Sequence, residues 1–179
     1  AQGVVDDIEA DIAAGVSPDD IAVLYRLNAQ SSAIEMQLIR RGIKYRVAGR
    51  GFFGRPEVRT VVAYLAAAVD ETDEDAMARI YCAPLRRLGR AFLAKARSVA
   101  GVREMRARGE LGRWRRGAAS LLADVDGVRA ALDESLGAAI AYILDDLGIA
   151  DLYRDSGAAE DDETDTDIAC AALAECASG

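Results

Sequence analysis

Histidine is absent from the 179 residues, and lysine is nearly so: Lys44 and Lys95 stand against twenty arginines. Without an imidazole there is no group whose ordinary pKa lies near neutrality, which excludes the common His-based acid–base and metal chemistries. Three cysteines, Cys82, Cys170 and Cys176, make an odd count without metal-ligand spacing, so no zinc site is expected and buried or incidental thiols are. No apolar run is long enough to span a bilayer, and the N-terminus carries no signal-peptide pattern, so the expectation is a soluble cytoplasmic protein with no membrane partner. The phosphate loop G-x-x-x-x-G-K-[ST] is missing. So are an Asp-Glu metal motif at a strand end, a nucleophile–base pair and carboxylates paired for acid–base work.

What is present is an apolar half (51%) and a net charge of −8. That length and composition allow one domain or two small ones. The charge is unevenly spread. From Arg86 to Arg116 there are eleven cations opposed only by Glu104 and Glu110, whereas six of the eight residues from Glu160 to Asp167 are acidic. A mean charge hides this dipolar layout. High Asp with low Lys fits an acidic surface that serves solubility at high salt.

Periodicity divides the chain into an α/β part and an all-helical part. Val4, Val5, Ile8 and Ile12 predict a helix over 2–14, ended by Gly15. Residues 21–25 are a continuous apolar run, the pattern of a buried parallel strand. Ser32-x-x-Glu35 reads as a capping box opening a helix with Ile34, Leu38 and Ile39 inward, stopped at Gly42. Ile43 to Val47 alternate as a second strand. Pro56 and Glu57 open another helix, lined by Val58, Val62, Leu65 and Val69. After a polar hinge at Asp70–Asp75, helices are expected near 74–82, 89–99, 102–108, 117–123, 125–132, 134–147 and 167–177. The clearest apolar stripe there is Leu136, Ile140, Ile143, Leu144 and Leu147. The boundaries expected are 1–70 for the α/β part, 71–159 for the helical part, and 160–179 for an acidic loop and terminal helix.

The chemistry concentrates in residues 23–49. The apolar run 21–25 leads into Tyr25 and Arg26, followed by Asn28, Gln30 and Ser31. An aromatic face can stack on a base, and a neighbouring guanidinium can grip phosphate oxygens bidentately. Ends of strands in open α/β sheets are where ligands bind. Gln30 and Ser31 serve equally well as structural groups that bond the turn and helix start.

This block resembles the opening of the second RecA-like domain of UvrD/Rep/PcrA-type superfamily 1 DNA helicases, whose motif runs approximately V-L-Y-R-x-N-x-Q-S-R and continues to an I-P-Y-x-x-x-G strand. Val23, Leu24, Tyr25, Arg26, Asn28, Gln30, Ser31 and Glu35 fit the first part, and Ile43, Tyr45 and Gly49 the second. Ser32 replaces the usual Arg. Gly51-Phe52-Phe53-Gly54-Arg55-Pro56-Glu57-Val58, with Ala63-Tyr64-Leu65, is similar to the next motif, with Gly54, Pro56 and Thr60 as departures. Arg79 to Gly89 resembles R-I-I-N-x-P-x-R-G-I-G, with Arg87 in place of the first Gly.

The resemblance implies a fold class of α/β, a partial RecA-like P-loop NTPase domain with parallel strands, followed by an all-α helical insertion subdomain. It implies an ATP-dependent 3′–5′ DNA helicase of repair or replication. In it Tyr25 stacks on adenine, Arg26 reaches the γ-phosphate as the catalytic cation, and Gln30 helps hold the nucleotide. Phe53, Arg55, Arg86, Arg87 and Gly89 are implied DNA contacts. Of Phe52 and Phe53 at least one ring is expected in the core, and Trp114 reads as a packing residue. ATP and Mg2+ are implied cofactors, held mainly by parts outside this chain, which alone is expected to be inactive. Implied partners are single-stranded and forked duplex DNA and the first RecA-like domain. A non-catalytic DNA-binding module and a part of a helicase–nuclease recombination subunit are the alternatives.

Overall fold

The computed structural model describes residues 1–26, 28–47, 51–156, 170, 171 and 173. Their regular elements are helical: α1 (Gln2–Ala13), α2 (Asn28–Arg40), α3 (Pro56–Val69), α4 (Glu74–Ile80), α5 (Arg90–Ala96), α6 (Val99–Ala107), α7 (Arg115–Glu134), α8 (Leu136–Ala141) and α9 (Ile149–Ser156). The turns Pro18–Asp20, Phe52–Gly54 and Gly112–Trp114 are 3-10, and α8 runs on into a π-helical turn at Tyr142–Asp146.

The α/β expectation, a RecA-like domain with parallel strands, is overturned: among the described residues there is no strand and no sheet. Residues 21–25 and 43–47 lie outside regular structure, with Ile21 in an extended conformation. Burial explains the difference. A strand inside a parallel sheet is covered on both faces. Here Ile21, Val23, Ile43 and Tyr45 pack against α1 and α2, whereas Leu24 is 96% exposed. A five-residue apolar run does not by itself distinguish a paired strand from a segment covered on one side.

Two cores result. Val5, Ile8 and Leu38 anchor the small one between α1 and α2. Arg41, just past α2, bonds Asp6 and Glu9 of α1, each at 2.6 Å, and its guanidinium is held above its ordinary pKa chiefly by Asp6. The large core runs from Met36 and Phe52 through α3 to α9, crossing residue 70 without a break. Leu173 is buried against it and Cys170 packs on it. The expected acidic loop 160–167 and most of the expected helix 167–177 lie outside the described residues.

Several local expectations shift. The capping box is not one: α2 begins at Asn28, Ser32 is fully buried inside it, and the Glu35 carboxylate turns away to Phe52. In α3 the buried face is Val58, Val61, Tyr64 and Ala68, while Val62 and Val69 are exposed. That helix is Ala- and Val-rich all round, so no stripe selects its inner face. The helices expected at 117–123 and 125–132 are one continuous α7. Leu136 of the expected stripe is exposed, whereas Ile140, Ile143 and Leu144 are buried.

The expected hinge at 70–75 is tied down. The Asp70 carboxylate accepts from the backbone and hydroxyl of Thr72, and Asp73 caps α4. Glu71 bonds Arg103 of α6 at 2.7 Å and Arg129 of α7 at 2.8 Å, and Arg103 reaches on to Asp126. Arg129 also donates to the Ala68 carbonyl, closing the end of α3.

Two outcomes test this packing. A Cβ at Gly101 would lie 1.9 Å from the Ala96 carbonyl oxygen. Gly101→Ala should therefore lower stability by about 1–3 kcal/mol in urea melts, whereas Gly3→Ala, with open space around it, should not lower it. The Glu71 carboxylate is held below the usual carboxylate range, chiefly by its hydrogen bond from Arg103 and against a raising effect of burial. A depressed pKa contributes stability that is complete above the unfolded value, about 4.3, and is lost as pH falls through the folded value. Glu71→Gln should flatten the fall of the melting midpoint below about pH 4.3; an unchanged acid profile would contradict the network.

Candidate nucleotide and nucleic-acid sites

The first candidate cluster lies where the segment after Pro18–Asp20 meets α2. Tyr25 and Arg26 are exposed immediately before the helix, and Gln30 is exposed in its first turn. The small core holds Ile21 and Val23 from below, so the pair that follows is presented to solvent. This end of α2 thus brings an aromatic face, a guanidinium and an amide together within six residues of chain.

The second cluster is the turn after α2. Glu35, 3% exposed, accepts from the Phe52 backbone N–H at 2.8 Å and so ties α2 to the Phe52–Gly54 turn. Its charge also adds to burial in pushing the Tyr45 hydroxyl up to about 12. Phe52 enters the large core while Phe53, 57% exposed, stands edge-on to it with ring centroids 5.2 Å apart. One ring is core and the other available for stacking. Arg55, expected at the DNA, is buried and bonded.

The third cluster is the Tyr81–Gly89 connection between α4 and α5, which contains a cis Ala83–Pro84 peptide. Arg86 is its centre, and the structure turns it inward. The side chain is 2% exposed. Nη1 donates to the carbonyls of Ile80 (2.8 Å), Ala83 (3.2 Å) and Pro84 (3.2 Å). Nε and Nη2 bond the Asp124 carboxylate of α7, the former at 3.0 Å, and Nη2 also donates to the Tyr64 hydroxyl of α3 at 2.5 Å. That hydroxyl in turn donates a hydrogen bond to the Ala83 carbonyl at 2.6 Å, and burial pushes its pKa up to about 12. All five guanidinium donors are used, so the DNA contact expected of Arg86 is not open to it.

Its neighbours point out. Arg87 is exposed with φ of 56°, in the left-handed region, and Gly89 is exposed at the start of α5 with open space where a Cβ would stand. Sequence reasoning missed Tyr64 as a polar partner and Asp124 altogether. The signal for Asp124 was an acid on the apolar face of α7, three residues after Leu121 and four before Val128, both fully buried. Among the described residues no group of three or more Cys, Asp or Glu could hold a metal ion.

Comparison with known proteins gives the class: residues 1–103 match the UvrD-like helicase C-terminal domain, and the chain belongs to that family. The ATP-dependent DNA helicase PcrA of Bacillus subtilis is 39% identical over 84 residues, covering 46% of this chain and 11% of that protein. Rep of Escherichia coli is 40% identical over 77 residues, covering 42% and 11%. UvrD2 of Mycobacterium tuberculosis is 43% identical over 79 residues, covering 41% and 11%. The chain thus spans about a ninth of the length of these relatives.

Arg86 and Arg87 should separate in mutagenesis. Arg86→Ala strands the Asp124 carboxylate and removes the side-chain donor to the Pro84 carbonyl, and should cost about 3–5 kcal/mol. Arg87→Gly relieves a left-handed backbone and should gain up to about 1 kcal/mol. Chemical denaturation of both variants decides it, and equal small effects would remove the hub role from Arg86.

Proposed function

We propose that this chain is part of an ATP-dependent DNA helicase of the UvrD type. The observation that carries the reading is the exposed Tyr25–Arg26 pair, set at the start of α2 inside the stretch that matches the family. Tyr25 offers a ring for adenine, and Gln30, one turn on, offers an amide for the same nucleotide. Arg26 places a fixed positive charge where the transferred phosphoryl group gains negative charge, the arginine-finger arrangement. The charge is useful only if a second body brings the triphosphate to it, because this chain has no phosphate loop. On this reading the first RecA-like domain and the Mg2+ ligands belong to other parts of the helicase, and ATP supplies the phosphoryl group and the free energy for strand separation. Alone the chain does not turn over ATP.

The DNA side of the reading rests on Phe53, Arg87 and Gly89. Phe53 presents a ring on which a base of a single strand can stack. Arg87 and the open backbone at Gly89 suit phosphate contact, which positions a duplex without reading its sequence. Cytoplasmic action on forked DNA with 3′–5′ polarity follows from the same reading.

A chimaera tests it. The matching segment of Bacillus subtilis PcrA is replaced by residues 1–103, and DNA-stimulated ATP turnover is measured. The chimaera should hydrolyse ATP, and Arg26→Ala within it should lower kcat by about 10³-fold or more while nucleotide still binds. An active chimaera indifferent to Arg26→Ala would sink the assignment.

A further inference from the structure

Phe53 stands out in solvent because the residue before it is fixed from two sides. The Phe52 ring is 1% exposed in the large core, and its backbone N–H donates to Glu35 Oε2 at 2.8 Å. Gly51, the residue that opens the Phe52–Gly54 turn, has no side chain to cap it, so the Glu35 carboxylate takes the place of the cap. The turn closes from the Gly54 N–H to the Gly51 carbonyl at 2.8 Å, and Arg55, buried and bonded, holds its far end. Successive residues of a 3-10 turn lie a third of a revolution apart. With the Phe52 ring inward, the Phe53 ring is carried outward, at 80° to its neighbour.

Glu35 reaches this turn from the middle of α2. The residues beside it divide between the two cores: Met36 enters the large one and Leu38 the small one. The carboxylate is 3% exposed, and a Cβ on Gly51 would lie 3.2 Å from its Oε2, so the turn approaches it with backbone that carries no side chain. Oε1 has no hydrogen-bond partner among the described residues, nor has the hydroxyl of Ser32, fully buried one turn earlier on the same helix. A charge-assisted bond in such a low-dielectric place is strong and directional, and this one ends on the residue next to the exposed ring.

We infer that Glu35 is a positioning residue for single-stranded DNA: by fixing the Phe52 backbone it holds the Phe53 ring in the orientation that stacks on a base. This role rests on the helicase reading, in which Phe53 meets the strand. It goes further by placing control of that contact on α2, the helix that opens beside Tyr25 and Arg26. Glu35 itself touches no base.

The test compares the affinity of the whole chain, by fluorescence anisotropy, for an oligothymidine strand and for an abasic strand of equal length. Both carry the same phosphates, so arginine–phosphate contacts cancel from the ratio of affinities and base stacking remains. Wild type should prefer the strand with bases by about 5- to 150-fold, the worth of one stacked base. Phe53→Ala should remove most of that preference. Glu35→Met, similar in length but without an acceptor, should remove it too, and adding Glu35→Met to Phe53→Ala should lower the ratio no further. Glu35→Gln keeps an oxygen for the Phe52 N–H and puts its amide where Oε1 has no partner to lose, so it should retain the preference. Gly51→Ala crowds the same Oε2 without deleting it and should shift the ratio in the direction of Glu35→Met. Ser32→Ala removes a buried hydroxyl that lacks a partner and should leave the ratio at the wild-type value, which separates positioning from general loosening of α2.

A wild-type chain that binds both strands alike, or neither, overturns the role of Glu35, as does a preference that survives Phe53→Ala. A ratio unmoved by Glu35→Met and Gly51→Ala overturns it as well. So does an equal loss in Glu35→Gln and Glu35→Met, or a loss in Ser32→Ala. Where Glu35→Met fails to melt cooperatively, Gly51→Ala decides alone. The helicase reading is judged separately, by ATP turnover in the chimaera.

Discussion

The buried guanidinium of Arg86 is the constraint around which the helical core is arranged. It joins the end of α4 to the middle of α3 through Tyr64 and to the middle of α7 through Asp124, 38 residues further along the chain. A charge removed from water is tolerated only when its donors are all met and its counter-ion is close, and both hold here. The loop carbonyls of Ile80, Ala83 and Pro84 face inward because they find a donor there. Without it the Pro84 carbonyl would lose its donor, while the Ile80 carbonyl keeps the Ala83 N–H and the Ala83 carbonyl keeps the Tyr64 hydroxyl. The loop's shape is therefore dictated less by its own residues than by the place where α3 and α7 put Tyr64 and Asp124.

Around that hub the cations sort by what they can reach. Glu71 sits where α3 ends and α6 and α7 pass, so it collects Arg103 and Arg129 and makes a joint of a stretch whose polar composition suggests a hinge. Partly buried bridges of this kind fix geometry more than they add stability. At the α5–α7 end Arg87, Arg90, Arg106, Arg113, Arg115 and Arg116 have no acid within ion-pair distance among the described residues. Net charge and local charge thus carry opposite signs, which is how an acidic chain can still present a surface for polyanions.

Much of the helical content was legible in the sequence because 3.6-residue periodicity survives in α1 and α2, and because Gly42 and Pro56 act as local stop and start signals. Tyr25 and Arg26 were legible as a pair for chemical reasons, an aromatic beside a cation at the mouth of an apolar run. The sheet was misread because periodicity over five residues reports which side chains are apolar, not what covers them. The face of α3 was misread for a related reason: its Ala- and Val-rich sequence has no polar side to exclude. Arg86 and Arg87 are adjacent and identical in type, and nothing local distinguishes the buried one. Only the distant Asp124, an acid on an apolar face, does so.

That adjacency has a consequence for the neighbours. Once Arg86 is drawn inward and Leu88 is packed against the first turn of α7, the chain between them must turn sharply, and Arg87 takes a left-handed conformation that L-residues adopt at a cost of roughly 1–2 kcal/mol. Leu85, on the other side, is left 83% exposed. Neither position is explained by packing, since Arg87 touches no acid and Leu85 is outside the core. Their exposure follows from Arg86. A glycine at residue 87 would meet the backbone demand with no strain. Backbone strain of this kind persists where surrounding structure over-determines it, and here the over-determination is the five-donor anchor one residue away.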